Sequence, residues 1–184
     1  GVFGVLNSDK VEVRKIISNN TISGVSNVGG VVGRIDIGII SDAYSKGSVT
    51  GTNYVGGFVG QMTAIGNEIR GSYSTAAVSG STSTAGFAGF TNGVGKIENS
   101  WSAPSSLVGS AFEGTGDNPV AATKPLVYVG LADDGFANTT FISDADLKNP
   151  ANLGVYFNAV DPFVHVPGNY PRPYFEVFPE YFLD

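Results

Sequence analysis

The 184-residue chain carries 16 acidic and 10 basic side chains, for a net charge of −6, and only 14% of its residues are charged. An acidic chain without a Lys/Arg cluster offers no footing for nucleic acid or an anionic membrane. The absence of cysteine and the single histidine exclude disulfides, thiolate metal sites, a cysteine nucleophile and any metal site that needs two imidazoles.

No apolar run approaches the ~18 residues of a membrane span, so membrane insertion is not expected. The sequence opens on Gly1 with no basic-then-apolar leader, which reads as a mature product or a piece of a larger parent chain.

From the first residue, a Gly-apolar-apolar-Gly element recurs as Gly1-Val-Phe-Gly4, Gly30-Val-Val-Gly33, Gly57-Phe-Val-Gly60 and Gly86-Phe-Ala-Gly89, at intervals of 29, 27 and 29 residues. A second element follows each. Its columns are Val13/Ile40/Ile69/Ile97, then Ile17/Tyr44/Tyr73/Trp101, then Ile22/Val49/Val78/Leu107, closed by Gly24/Gly51/Gly80/Gly109. Repetition at this period is the signature of a solenoid. The runs between turns are β-branched or aromatic and too short for helices. The expected fold is therefore all-β: a short parallel β-solenoid (β-helix) of about four coils over residues 1–109, with the apolar columns stacked inside. The recurring glycines are expected where the backbone takes a positive φ or where coils approach closely.

Composition breaks near residue 104. All nine prolines lie from Pro104 onward, whereas 20 of the 26 glycines lie in the first 110 residues. Residues 110–184 keep no repeat and read as an irregular α+β C-terminal cap or appended segment. Within it, Pro125–Gly130 reads as a strand. Ser143 reads as the N-cap of a short helix with Asp144 and Asp146 in its first turn, ended by Pro150. Phe163–Val166 reads as a strand and Pro171–Pro179 as an extended aromatic stretch. Tyr170, Tyr174 and Phe175 are expected to pack on the last coil and cover an otherwise open strand edge.

The segments NVGGVVG, YVGGFVG, ISDAYSKGSVTG and IRGSYSTAAVSG resemble the GLUG repeat of bacterial surface and secreted proteins. That repeat occurs in filamentous-haemagglutinin-like adhesins and in the stem of IgA1-specific metalloproteases. The resemblance covers about residues 1–109 and extends loosely to Asn99-Ser-Trp101, Ile142–Asn149 and Gly168–Phe175. It implies a secreted or cell-surface location and a non-enzymatic stem or ligand-presenting module, whose partner is a host or neighbouring-cell protein or glycan. An accessory domain of a secreted metalloprotease is the alternative, and a carbohydrate-active β-helix is a third.

Candidate chemistry is sparse, and no catalytic, cofactor or metal residue is assigned. Tyr44, Tyr73 and Trp101 form either an exposed sugar-stacking row or a stack inside the coil or against the cap. Burial is the favoured reading, because Ile17 takes the same column in the first unit. His165 sits in an apolar alternation without the G-x-S-x-G context of a triad serine, and H-E-x-x-H is absent. Asp133-Asp134-Gly135 and Gly116-Asp117-Asn118 are dense enough in oxygen to raise calcium, yet neither has the spacing of an EF-hand loop and both suit ordinary turns. Whether those turns bind calcium is left open. Asp36, Asp42, Glu68 and Glu98 are too dispersed in sequence for the carboxylate cluster of a polysaccharide-cleaving groove.

Overall fold

In the computed structural model, the structure describes residues 1–63, 66–92, 95–110, 112–116, 126–129, 139–152, 157, 163–164 and 168–173. The fold is a parallel β-solenoid of about three turns, where the repeat alignment counted four coils. Val13, Ile40, Ile69 and Ile97 do stand on four successive rungs, but four rungs enclose only three full turns.

The first rung is β1 (Phe3–Ser23). After β2 (Ser26–Gly29) the chain runs on as β3 (Val32–Thr50). β1 pairs with β3 in parallel from Phe3↔Val32 to Ser23↔Thr50. The next turn breaks into shorter pieces: β4 (Asn53–Gly56), β5 (Val59–Met62), β6 (Asn67–Arg70), β7 (Tyr73–Ser74) and β8 (Ala77–Ser79). β5, β6, β7 and β8 all pair with β3, which therefore spans several faces of one coil. β9 (Thr82–Ala85), β10 (Ala88–Thr91), β11 (Lys96–Glu98) and β12 (Trp101–Ser102) form the next layer, with β2, β4 and β9 as a separate three-stranded sheet.

Long strands turn corners because particular residues hold a left-handed backbone. Lys15, Asp42, Gly71 and Asn99 have φ of 58°, 51°, 56° and 48°, and each lies two residues after an inward column residue. Asn27, Tyr54 and Ser83, at 55°, 53° and 50°, form a second such column. Asp, Asn and Gly tolerate this conformation best. Most repeat glycines serve the other expectation, close approach. A Cβ on Gly30 would collide with the Ser45 hydroxyl and the Gly57 carbonyl, and one on Gly57 with the Ser74 hydroxyl and the Gly86 carbonyl.

The interior is built from the expected columns. Ile40, Ile69 and Ile97 are fully buried, with Val13 partly buried against the same cluster. Val49 and Val78 are buried in a second cluster, flanked by Ile22 and Leu107. Phe58, Phe87 and Phe112 stack at centroid separations of 4.8 and 4.6 Å, close to the ~4.8 Å between strands.

Parallel pairing continues past residue 109. β13 (Glu113–Gly116) joins β10, β14 (Leu126–Tyr128) joins β12, and β15 (Thr139–Phe141) joins β14. Ser110-Ala-Phe112-Glu-Gly114 is thus a degenerate copy of the glycine element: Phe112 takes the Phe column, and a Cβ on Gly114 would strike the Gly89 carbonyl. The expected helix is α1 (Asp144–Leu147), whose first-turn Asp146 N–H donates to the N-cap Ser143 Oγ at 3.0 Å. Pro150 opens a single 3-10 turn, Pro150–Asn152. Antiparallel β16 (Phe163–Val164) and β17 (Arg172–Pro173) follow.

Candidate functional site

Beyond the turn at Asp42, successive side chains of β3 point to opposite sides. Ser45 faces inward onto Gly30, so Tyr44 and Lys46 face outward. The same phase in the next two coils sends out Tyr73 and Trp101. The result is an aromatic ladder on the flank of the solenoid: Tyr44 and Tyr73 lie 4.9 Å apart with rings 8° from parallel, and Tyr73 and Trp101 lie 4.3 Å apart at 2°. Tyr170 closes the upper end, 5.1 Å from Trp101 and tilted by 40°. Lys46 Nζ sits 4.6 Å from the Tyr44 ring centroid.

This ladder is covered. Tyr44, Tyr73 and Trp101 are 4%, 1% and 0% exposed, packed with Ala103, Val129, Ile142, Leu147 and Phe157, while Tyr170 leans on the cluster. The reading of a stack against the second segment holds, but the reason drawn from Ile17 does not. Ile17 is 53% exposed, and among the described residues it lies outside the cluster that the second segment forms with Tyr44, Tyr73 and Trp101. Of the aromatics expected to pack on the coils, Tyr170 does so. Tyr174 and Phe175 lie outside the described residues, as do His165, Asp117, Asn118, Asp133 and Asp134.

Polar contacts hold Tyr170 in place. Its hydroxyl donates to Asp144 Oδ1, Lys148 Nζ donates to Asp144 Oδ2 at 2.7 Å, and that ammonium also lies 4.5 Å from the Tyr170 ring centroid. Burial and then the Asp144 carboxylate push the Tyr170 phenol above its ordinary pKa. The hydrogen bonds from Lys148 and Tyr170 hold Asp144 below its own.

Where this contact meets the coil edge, a groove of ≈ 270 Å³ opens between Lys46, Tyr73, Thr75, Trp101, Asn169, Tyr170 and Arg172. The indole Nε1–H of Trp101 is buried and has no hydrogen-bond partner among the described residues. A second hollow, ≈ 290 Å³, is walled by Gly80, Ser81, Ser83, Thr84, Val108, Gly109, Ser110 and Gly114. Its described lining holds no ionisable group.

The repeat-region carboxylates do not converge. Asp36 accepts from Arg34, at 2.8 and 2.5 Å, and from the Thr63 hydroxyl, and these bonds lower its pKa. Glu68 and Glu98 belong to a charged ladder on another flank, in which Arg70 bridges Glu12 (3.0 Å) and Glu68 (3.8 Å) and Lys96 meets Glu98 (2.9 Å). Asp42 occupies a left-handed corner. Among the described residues there is no group of three or more His, Cys, Asp or Glu placed to hold a metal ion, and no helix is long and apolar enough to cross a membrane.

The groove was not legible in the sequence, since it joins β3, β7 and β12 to residues 169–172 across more than 65 positions. Its one signal was the aromatic column itself. In comparisons with known proteins, no family model matches the chain, nor does any curated protein or solved structure.

Proposed function

We propose that the chain is a non-enzymatic stem or ligand-presenting module of a larger secreted or surface-anchored bacterial protein of adhesin type. The observation that carries this reading is the rung-on-rung stack, whose side chains serve the stack itself. Apolar columns fill the interior, charged residues on one flank bind one another, and aromatics on another flank anchor the second segment. A scaffold of that kind holds surfaces at a fixed spacing and has no need of a reaction centre. The GLUG-like motifs support the same reading and supply the surface setting, with a host or neighbouring-cell protein or glycan as partner.

The test is a glycan and cell-binding screen of the purified protein, run beside reducing-sugar and peptide-cleavage assays. Saturable binding without turnover supports the proposal. Release of reducing ends or peptide fragments overturns it and favours a carbohydrate-active or protease-associated module.

A further inference from the structure

Each coil meets the coil before it through one repeated set of backbone contacts. The closing glycine of the Gly-apolar-apolar-Gly element forms one side of it. A Cβ on Gly33 would come within 2.7 Å of the Gly4 carbonyl oxygen, one on Gly60 within 2.5 Å of that of Gly33, and one on Gly89 within 2.7 Å of that of Gly60. Gly114 stands in the same relation to Gly89. The carbonyl of the element's first apolar residue forms the other side. Val31 O accepts from the Phe3 N–H at 2.9 Å, Phe58 O from those of Val31 and Val32 at 2.9 and 3.2 Å, and Phe87 O from those of Phe58 and Val59 at 2.9 and 3.0 Å. Phe112 O accepts from Phe87 and Ala88 in the same way. Val31, Phe58, Phe87 and Phe112 are all fully buried.

Gly1-Val2-Phe3-Gly4 carries the same parts with nothing to meet them. Nothing lies within 4 Å of a Cβ on Gly4, and Gly4 does not take a positive φ, so neither reason for a glycine operates there among the described residues. Among those residues no backbone N–H donates to the Val2 carbonyl, and Val2 is 45% exposed. β1 pairs with β3 alone, which leaves its other edge open. Repeat ancestry does not account for Gly4, because the first rung has drifted elsewhere: Ile17 replaces the aromatic of its column, and the register with β3 slips between Asn7 and Glu12.

We propose that the outer edge of β1 docks one further coil of the same repeat, parallel and in register, supplied by the residues that precede Gly1 in the larger protein. The inference rests on the larger-protein reading given above. It continues the rung-to-rung interface by one step: the incoming carbonyl takes the space beside Gly4, incoming N–H groups donate to Val2 O, and the incoming apolar columns cover Val2 and Ile17. A second copy fits poorly. A two-fold dimer lays β1 antiparallel to itself, and antiparallel strands have a different hydrogen-bond pattern from the one repeated here. A head-to-tail copy presents a stepped end, since β14 and β15 extend two strands past β12 while β13 extends one past β10.

The encoded protein is expected to carry a Gly-apolar-apolar-Gly element at the same 27–29-residue interval ahead of Gly1, and upstream residues without one overturn the proposal. The edge itself is tested by fusing a copy of residues 30–56 directly ahead of Gly1, so that Gly1 takes the place of Gly57. The fusion should unfold at a higher temperature than the 184-residue chain, with amide exchange across β1 slowed at least tenfold. Gly4→Ala should not lower the midpoint of the 184-residue chain but should lower that of the fusion by about 2–10 °C. Gly33→Ala should lower both. Unchanged exchange in β1 of the fusion, or a Gly4→Ala that is harmless in both folded forms, overturns the docking edge. Glycan or peptide cleavage by the 184-residue chain would instead overturn the non-enzymatic reading, so the two failures are distinguishable.

Discussion

The hydroxyl of Ser45 occupies the space that a side chain on residue 30 would need, and Ser74 stands in the same relation to Gly57. The two recurring sequence elements, one rich in glycine and one ending aromatic-Ser, are therefore two sides of one contact across the coil. Ser18, Ser45, Ser74 and Ser102 are all fully buried, and Ser18 Oγ donates to the Gly30 carbonyl at 2.7 Å.

Gly30→Ala should destabilise the fold by about 1–3 kcal/mol or more, since the obstruction includes backbone of the next coil and cannot swing aside. Gly4 closes the same motif in the first rung, at the place of Gly33 rather than Gly30, and nothing lies within 4 Å of its would-be Cβ. Gly4→Ala should be neutral or stabilising by up to ~1 kcal/mol. Urea denaturation of the two variants checks the contrast.

Tyr73→Ala removes the middle of the aromatic ladder and should lose about 3–5 kcal/mol. Ile17→Ala, in the same column on the first rung, should change stability by no more than ~0.5 kcal/mol. Similar losses from both would mean that the first rung is covered in solution.

Lys15→Gly should raise stability by up to ~1–2 kcal/mol, because lysine bears the steric strain of a left-handed φ that glycine does not. Asp42→Val, at the same corner one coil on, should lower it by at least as much, β-branching being worse suited to that region. Thermal unfolding measures both.

Acid should loosen the structure. Serine and arginine hydrogen bonds hold Glu12 below its ordinary pKa, Arg34 and Thr63 do so for Asp36, and Lys148 and Tyr170 for Asp144. A carboxylate depressed on folding contributes stability above its unfolded pKa and loses it as pH falls through the folded value. Denaturation midpoints should therefore hold steady near neutrality and decline below about pH 4. Glu12 and Asp144 are solvated enough for salt to blunt their share. In Asp36→Asn the acid decline should be shallower.

The repeat columns were readable because a coil imposes identical surroundings at a fixed interval, so burial prints itself on the sequence as apolar identity. Asp42, Gly71 and Asn99 carried a second signal, three residue types that share only a tolerance for left-handed backbone. The copy at Phe112 was hidden because its flanking glycine had become Ala111 and its interval from Phe87 had shortened to 25 residues. The exposure of Ile17 was illegible for another reason: column position says which way a side chain points, and only the neighbouring layer decides whether water reaches it. The groove depends on where Asn169–Arg172 lands, a long-range event without local periodicity.

The first rung, with Ile17 and Val5 open to solvent at 53% and 58%, is bonded to a single neighbour among the described strands, as are β11, β13 and β15, whereas β3 and β12 are held from both sides. Hydrogen bonds between rungs run along the stacking direction, so tension applied along that direction loads them a rung at a time. The stack then behaves as a peelable ribbon, in which the Trp101–Tyr170 contact and the Asp144 clasp act as a latch tying the second segment to its flank.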